Sequence, residues 1–307
     1  MQAEPWFDNA EALQEHVLRW QDRSAGKILL YHDPGYPAWL RQISCPPVAL
    51  FLEGDAAVLE TPGIAIVGSR SANQPACRFT RDLAADLSQM GVVIVSGLAR
   101  GIDAAAHRGA CDAQGQTVAV LGNGTDVYYP PEHQQLQESI RQTGCLISEL
   151  PPGSAPRAWH FPNRNRILAG LVRGVVVVQA EQRSGALITA RHALEENREV
   201  KAVPGDVEDV RNRGAHSLLR QGATLVETAA DVLSATGWDL APRSQGEAID
   251  RYALLTLLRE PRTPEVLRAR LGWKSEVLQA CLAELEVLGW VGRDRRGRFR
   301  RLRSPAG

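Results

Sequence analysis

The sequence contains 307 residues, 44% of them hydrophobic, and its 35 Lys and Arg residues balance 35 Asp and Glu residues. This is the composition of a globular protein with one large and one small domain, and it excludes a collagen-like or disordered chain. The apolar runs are strand-sized, no signal peptide is recognisable and the five cysteines are widely spaced, so we expect a cytoplasmic protein without membrane span, disulfide framework or metal site.

Residues 1–60 are interpreted as a lead-in segment that packs on the main domain. Within it, an amphipathic stretch at residues 10–20 predicts a helix, and proline-containing turns surround a short apolar run at residues 48–52.

Residues 61–235 have a regular pattern in which short β-branched runs alternate with helical stretches. Predicted strands lie at residues 64–67, 92–95, 117–121, 145–147, 175–178, 200–203 and 224–226. Continuous apolar strands joined by helical crossovers are typical of a parallel sheet that is buried on both faces. The predicted fold class is therefore α/β, with a doubly wound, mostly parallel sheet.

The C-terminal part of the chain has a different pattern. Residues 236–247 are rich in Ser, Gly and Pro and predict a linker. Residues 248–307 contain three helical stretches, at 249–259, 263–271 and 275–288, and then two short strands around a Gly-containing turn, which together predict a winged helix. From residue 243 onward there are 14 basic and 8 acidic residues. The arginine run near the end is either a solvated terminus or a nucleic-acid contact.

Four glycine-bearing turns follow predicted strands and precede helices. They are residues 68–70 (GSR), 96–103 (SGLARGID), 122–124 (GNG) and 183–185 (RSG). Such turns meet at the carboxyl edge of an open α/β sheet, where helix N-termini bind anions, so they favour a phosphate-bearing ligand. The alternative is that these glycines only make tight strand-to-helix turns. The first turn lacks the pattern G-x-G-x-x-G and no Walker sequence occurs, so neither NAD nor ATP is predicted as a cofactor.

The most polar segment is residues 160–170, with the sequence HFPNRNRILAG. Its Arg and Asn side chains suit phosphates or base edges, and the rings of Trp159 and Phe161 suit base stacking. The alternative is a buried Phe161 with capping asparagines and solvent-facing arginines. No catalytic spacing joins the possible acids, bases and nucleophiles, so no catalytic residue is predicted.

Taken together, these segments resemble the DNA processing protein A family, also called DprA or Smf. The similarity covers nearly all of residues 64–226 in the expected order. It is carried by IAIVGSR (64–70), VIVSGLARGIDAAAH (93–107), TVAVLGNGTDVYYP (117–130), HFPNRNRILAGL (160–171), RSGALITARHALEENREVKAVPG (183–205) and GAHSLLRQGATLV (214–226).

The resemblance implies a cytoplasmic bacterial protein whose extended Rossmann domain binds single-stranded DNA, protects incoming strands in natural transformation and loads the RecA recombinase, without catalysis, metal or cofactor. On matching positions it implies a phosphate site at Gly68, Ser69, Arg70, Gly97 and Gly101. It implies base stacking on Phe161, with Asn163, Arg164 and Arg166 in the same pocket, and a homodimer and recombinase surface at His216, Leu219 and Leu225. We add Arg100, Arg157 and Arg183 as candidate DNA-binding residues.

Two departures from the family pattern are present. Relatives often carry a Lys three residues before the Phe of the FP motif, whereas this chain has Ala158 beside Arg157. Relatives often begin with a sterile-alpha-motif-like domain; because only about sixty residues precede Ile64, we expect this domain to be absent or reduced to a remnant. The winged helix resembles one found in some members, and its partner is either duplex DNA or a protein.

Two rival functions remain open. One is a nucleotide hydrolase of the lysine-decarboxylase-like type, although residues 183–190 (RSGALITA) lack the glutamate of its P-G-G-x-G-T-x-x-E motif. The other is a transcription regulator in which the winged helix binds duplex DNA and the Rossmann domain senses a ligand.

Overall fold

A computed structural model describes residues 10–61, 63–234, 254, 257–258, 260–273, 275–287, 291–294 and 297–302. The chain divides into two compact units, Met1–Leu240 and Ala241–Gly307. No helix in these described ranges is both long and apolar enough to cross a membrane.

The first unit is built on a nine-stranded sheet with the order β1-β2-β6-β5-β4-β3-β7-β8-β9. The strands are β1 (Lys27–Leu30), β2 (Ala49–Gly54), β3 (Gly63–Gly68), β4 (Ile94–Ser96), β5 (Thr117–Val120), β6 (Cys145–Ser148), β7 (Val172–Val178), β8 (Glu199–Ala202) and β9 (Thr224–Leu225). The seven strands from β6 to β9 in this order are parallel, whereas β1 and β2 are antiparallel to their neighbours.

Eight helices of this unit are described. They are α1 (Ala10–Ser24), α2 (Gln74–Gln89), α3 (Ile102–Asp112), α4 (Gln134–Thr143), α5 (His160–Gly170), α6 (Gly185–Glu195), α7 (Arg213–Arg220) and α8 (Ala229–Leu233). Alternate strand residues bury on opposite faces, so Ile64 and Ile66 pack with α2, α3 and α8, whereas Ala65 and Val67 pack with α5 and α6. Both faces are therefore covered, as in a doubly wound fold.

The predicted fold class is confirmed, and each of the seven predicted strands corresponds to a parallel strand. The structure adds a feature to the N-terminal segment, because residues 27–30 and 49–54 form β1 and β2 at the edge of the same sheet. The predicted helix at residues 10–20 is present as α1. The lead-in segment is thus not only packed on the sheet but also extends it.

In the second unit the described residues form two helices, Pro264–Leu271 and Ser275–Val287, and an antiparallel strand pair, Val291–Arg293 with Phe299–Arg301. The first helix begins after Thr263 with a proline, as predicted, and ends at Gly272 in the left-handed conformation. Most of the predicted helix at 249–259 and all of the predicted linker at 236–247 lie outside the described residues, so the winged helix stays a prediction.

Candidate nucleic-acid interface

The direction of the chain across the sheet changes beside β3. Strands β4, β5 and β6 are added in turn on one side of β3, and the chain then returns to place β7 on the other side of β3. In open α/β sheets such a reversal opens a crevice at the carboxyl ends of the strands. Here the crevice is a cleft of about 640 Å³ between the ends of β3 and β7 and the start of α5 and α6. We call it the switch-point cleft.

The GSR turn at the end of β3 forms one wall of this cleft. A Cβ atom at Gly68 would lie 1.9 Å from the carbonyl oxygen of Val178, and one at Gly101 would lie 2.2 Å from the carbonyl oxygen of Ser69. Gly101 also has a φ of +73°, which favours glycine. These contacts bring the strand ends close together, and they place Ser69 and Arg70 in the cleft lining.

An aromatic and cationic stack stands at the cleft. The Arg70 guanidinium carbon lies 5.5 Å from the centroid of the Phe161 ring, and the centroid of the Tyr129 ring lies 5.4 Å from that of Phe161. Phe161 fits against Gly122, where a Cβ atom would lie 2.9 Å from the ring. Arg70 is exposed and forms no salt bridge with another described residue, and its charge interacts at longer range with the Asp103 carboxyl.

The floor of the cleft contains two buried titratable residues, Arg164 and Asp103, that influence each other electrostatically. Arg164 is 6% exposed and donates from Nη1 to the carbonyl of Val120, and its guanidinium packs on Gly97, where a Cβ atom would lie 2.1 Å from Nη1. Burial lowers the pKa of Arg164 to about 10, and nearby Asp103 opposes this shift. Burial raises the pKa of Asp103, against the charge of Arg164 and hydrogen bonds from the backbone of Ala99 and Gly97.

The start of α6 lines the opposite wall. Ser184 occupies the N-cap position without capping the helix through its side chain, and its buried hydroxyl has no hydrogen-bond partner within the described residues. Asn165, which the sequence analysis did not single out, donates to the carbonyl of Gly185 at 3.3 Å. The free N–H groups at this helix end face a region that suits an anion.

Other predicted arginines are already paired. Arg100 forms an ion pair with Glu132, and Arg166 forms one with Glu149 at 2.6 Å. Neither residue lines the switch-point cleft, whereas Arg164 does. A phosphate therefore has to compete with a protein carboxylate for both paired guanidinium groups.

The remaining predicted DNA-binding residues surround the cleft without lining it. Asn163 and Arg183 are exposed and Arg157 is half-buried, and all three are absent from the lining of the cleft. Ala158 does line it. The geometry thus brings together Gly68, Ser69, Arg70, Phe161 and Arg164 and leaves Arg157, Asn163 and Arg183 outside the lining.

A buried carboxylate, for which no sequence motif is a signal, anchors the loop that carries Tyr129. Glu53 in β2 is 1% exposed and accepts hydrogen bonds from Trp20 Nε1 at 2.6 Å and from Thr125 Oγ1 at 2.7 Å. It also pairs with Arg141 at 2.7 Å. Thr125 lies in the loop that leads to Tyr129, so Glu53 ties α1 and α4 to the loop that bears this ring.

The predicted partner surface lies on α7 and β9. His216 bonds through Nε2 with the carbonyl of Gly205 at 3.1 Å and Leu219 is half-buried, whereas Leu225 is 45% exposed on the edge strand. The N-terminus of α7 is anchored beside the cleft, because the backbone N–H of Gly214 donates to the carbonyl of Ala180 at 2.7 Å.

Comparison with known proteins adds a family to this geometry. Residues 27–237 match the family model described as DNA recombination-mediator protein A. The chain is 38% identical to protein Smf of Escherichia coli (strain K12) over 291 residues, which cover 90% of this chain and 78% of that protein.

Two solved structures are similar in both sequence and fold. The crystal structure of DNA processing protein A from Streptococcus pneumoniae is 39% identical, with a TM-score of 0.69 over 75% of this chain and 79% of that one. A structure of DNA processing protein A from Helicobacter pylori, whose subject is its single-stranded DNA binding mode, is 28% identical, with a TM-score of 0.62 over 69% of this chain and 95% of that one. The chain therefore belongs to the DNA recombination-mediator protein A family, that of the DprA and Smf proteins.

Proposed function

We propose that this chain is a non-catalytic protein that binds single-stranded DNA in the switch-point cleft. The observation that carries the proposal is the exposed Arg70 guanidinium above the Phe161 ring, at the mouth of a cleft whose floor holds Arg164. The similar Helicobacter pylori protein has a described single-stranded DNA binding mode, which supports the same ligand here.

Each part of the stack has a role in this proposal. Arg70 and the N-terminus of α6 neutralise backbone phosphates, and Phe161 stacks on a base. Every base has a stacking face, so the affinity depends little on sequence, and phosphate neutralisation makes it fall as salt rises.

The proposal extends to a homodimer that protects incoming strands in natural transformation and loads RecA onto them. Exposed Leu225 on β9, with His216 and Leu219 on α7, provides the self-complementary surface. Two clefts held side by side bind a longer strand more tightly than one cleft, because the second contact is intramolecular. A RecA nucleation assay on a single strand, with and without this protein, tests the loading step.

The first experiment measures binding of the full chain to fluorescent oligo-dT and to a duplex of equal length across a salt series. We expect preference for the single strand, a decline with salt, and a clear loss of affinity in Arg70→Ala. Equal or stronger duplex binding contradicts the proposal and moves the DNA contact to the C-terminal unit. Release of a base from a nucleoside monophosphate favours the hydrolase instead.

A further inference from the structure

A second cleft opens at the carboxyl edge of the sheet, on the face covered by α2 and α8. Its volume of about 620 Å³ is within the range of ligand-binding pockets. It lies between the first turn of α2, the end of β7 and the segments that follow β8 and β9. We call it the acidic groove, and it is not used by the proposed strand-binding function.

The floor of the acidic groove is apolar. Pro75 and Phe79 come from α2, Val203 follows β8 and Val226 follows β9. Val226 is fully buried and Phe79 is half-buried against the same hydrophobic cluster. Two exposed apolar side chains, Val207 and Val210, lie in the loop beyond the groove. Pro75 is exposed and Val203 is half-buried like Phe79, so a partner that covers these three side chains gains free energy in proportion to the apolar area it buries.

The acidic groove lacks the positive charge that a DNA-binding site needs. Its lining contains the carboxylates of Asp206 and Glu227, and among its described lining residues there is neither Lys nor Arg. Two carboxylates repel a phosphate backbone and attract a cationic side chain.

The wall of the groove is held in place before any partner binds. The Asn212 amide donates to the carbonyl of Asp206 at 3.0 Å, and the Gln179 amide donates to Asp209 at 3.2 Å. A preformed wall lowers the conformational entropy that binding costs.

We propose that the acidic groove is a docking site for a protein partner, which inserts a short apolar segment that carries at least one Lys or Arg. The apolar side chains of the segment cover the accessible parts of Pro75, Phe79 and Val203, and the cationic side chain lies beside Asp206 and Glu227. Apolar anchors with a charged neighbour are a usual mode of peptide recognition in a groove.

The test selects random nine-residue peptides displayed on phage for binding to the full chain. Enriched peptides are synthesised with a fluorophore, and their affinities are measured for the wild type, Ala76→Trp and Glu227→Lys. Ala76 lines the groove on α2, so the indole fills it, and Ala85→Trp places the same side chain on the same helix outside the lining. Glu60→Lys is the matched control for charge, because Glu60 is exposed and outside both clefts.

We expect the enriched peptides to combine apolar residues with Lys or Arg. Ala76→Trp should abolish their binding, and Glu227→Lys should weaken it about two- to fivefold, the effect of losing one exposed ion pair. Both control variants should bind as the wild type does. Glu227→Lys changes an exposed side chain, so it keeps the test valid if Ala76→Trp does not fold.

Three results overturn the proposal. The first is that no peptide is enriched, or that the enriched peptides are acidic. The second is that both groove variants bind the peptides as well as the wild type. The third is that oligo-dT displaces the peptides and Ala76→Trp weakens oligo-dT binding, which makes the groove part of the strand path. Failure of oligo-dT to bind the wild type tests only the strand-binding proposal and leaves these results unaffected.

Discussion

The two clefts lie at one edge of one sheet and have nearly equal volumes, about 640 and 620 Å³. Their side chains differ. The switch-point cleft has Arg70 and Arg164 to balance the carboxyl groups of Asp103 and Glu181, and it adds an aromatic ring, whereas the acidic groove has Asp206 and Glu227 with neither Lys nor Arg among its described lining residues. The doubly wound sheet thus provides the position of a site, and a few side chains on the flanking turns decide which ligand it takes.

Gln179 forms hydrogen bonds with residues of both clefts. The Gln179 carbonyl accepts the backbone N–H of Ser69 at 2.8 Å, and its side-chain oxygen accepts the N–H of Asn73 at 2.9 Å. Gln179 has a φ of +49°, in the left-handed region that few non-glycine residues adopt. The hydrogen bonds to Ser69 and Asn73 hold the Gln179 backbone in this conformation, so the two clefts share this residue as part of their walls.

The largest contrast is expected when the one phenylalanine of each cleft is truncated. Phe161→Ala removes a stacked ring and should weaken oligo-dT binding by about 1–3 kcal/mol, or about 5- to 150-fold. Phe79→Ala should leave oligo-dT binding unchanged, because Phe79 lines only the acidic groove. Fluorescence anisotropy with oligo-dT at one fixed salt concentration measures both.

Thermal unfolding of each variant provides the control, since both rings are partly buried and their loss lowers stability. Equal losses of oligo-dT affinity in the two variants, after correction for any unfolded fraction, would show that oligo-dT binding does not depend on the switch-point cleft alone.

The buried residues near the two clefts differ in whether they can bind a proton. The acidic groove stands over Val178 and Val226, whereas α3 beside the switch-point cleft holds the fully buried His107. Burial lowers the pKa of His107 to about 3, from 6.5 in the unfolded chain. Between these values only the unfolded chain binds the proton, so the free energy of unfolding falls with decreasing pH by up to about 1.4 kcal/mol per pH unit. Above pH 6.5 this contribution to stability is complete.

His107→Asn should remove that part of the pH dependence. His107 Nδ1 contacts Thr117 Oγ1 at 2.8 Å, and the Thr117 hydroxyl donates to the carbonyl of Ile94, so Nδ1 is the donor, a role that an Asn amide can take. Urea unfolding at pH 7.5 and pH 5 measures the effect in both proteins. An equal loss of stability on acidification in the variant would assign the slope to other groups.

The fold was accessible from the sequence because its strands are continuous apolar runs. Buried parallel strands such as 64–67 and 175–178 give a strong signal, and the topology follows from the alternation with helices. The strands β1 and β2 were not predicted, because KILL and ALFLEG are short and lie among prolines and exposed residues. Their place in the sheet depends on pairing with β6, which is a long-range contact that no local pattern encodes.

For the candidate site, local motifs were again informative and long-range contacts were not. The motifs GSR and FPNRNR identified Arg70 and Phe161, and the structure places these two residues together. Sequence reasoning placed Arg164 and Arg166 alike in the pocket of Phe161, although Arg166 is ion-paired and does not line the cleft, and Arg164 is buried. It missed Glu53, whose three partners are 33, 72 and 88 positions away along the chain. Charge compensation and burial depend on tertiary contacts, so residue type alone does not show them.

A smaller effect is expected at Thr125, in the loop that carries Tyr129. Thr125→Val keeps the shape of the side chain and removes the hydroxyl that donates to Glu53. One lost hydrogen bond of about 1 kcal/mol should loosen the Tyr129 loop and weaken oligo-dT binding by about fivefold or less. Thr125→Ser keeps the hydroxyl and should bind as the wild type does.

Trp20→Phe removes a different donor from the same carboxylate, on α1 rather than on the loop. It should lower the melting temperature without changing oligo-dT affinity. If Trp20→Phe and Thr125→Val reduce the affinity equally, Glu53 acts through general stability and does not position the loop.

The smallest effect is expected at Arg100, one of the three arginines added to the family's sites as candidate DNA-binding residues. Arg100 is exposed and paired with Glu132, and this ion pair raises its pKa further. A phosphate gains little from a guanidinium that must first leave a carboxylate, so Arg100→Ala should change oligo-dT affinity by less than about twofold. Arg70→Ala, in contrast, should reduce the slope of log affinity against log salt by about 1. Glu132→Gln releases Arg100 and should raise the affinity slightly. A loss in Arg100→Ala as large as that in Arg70→Ala would show that the strand displaces Glu132, and the cationic surface of the switch-point cleft would then extend to α3.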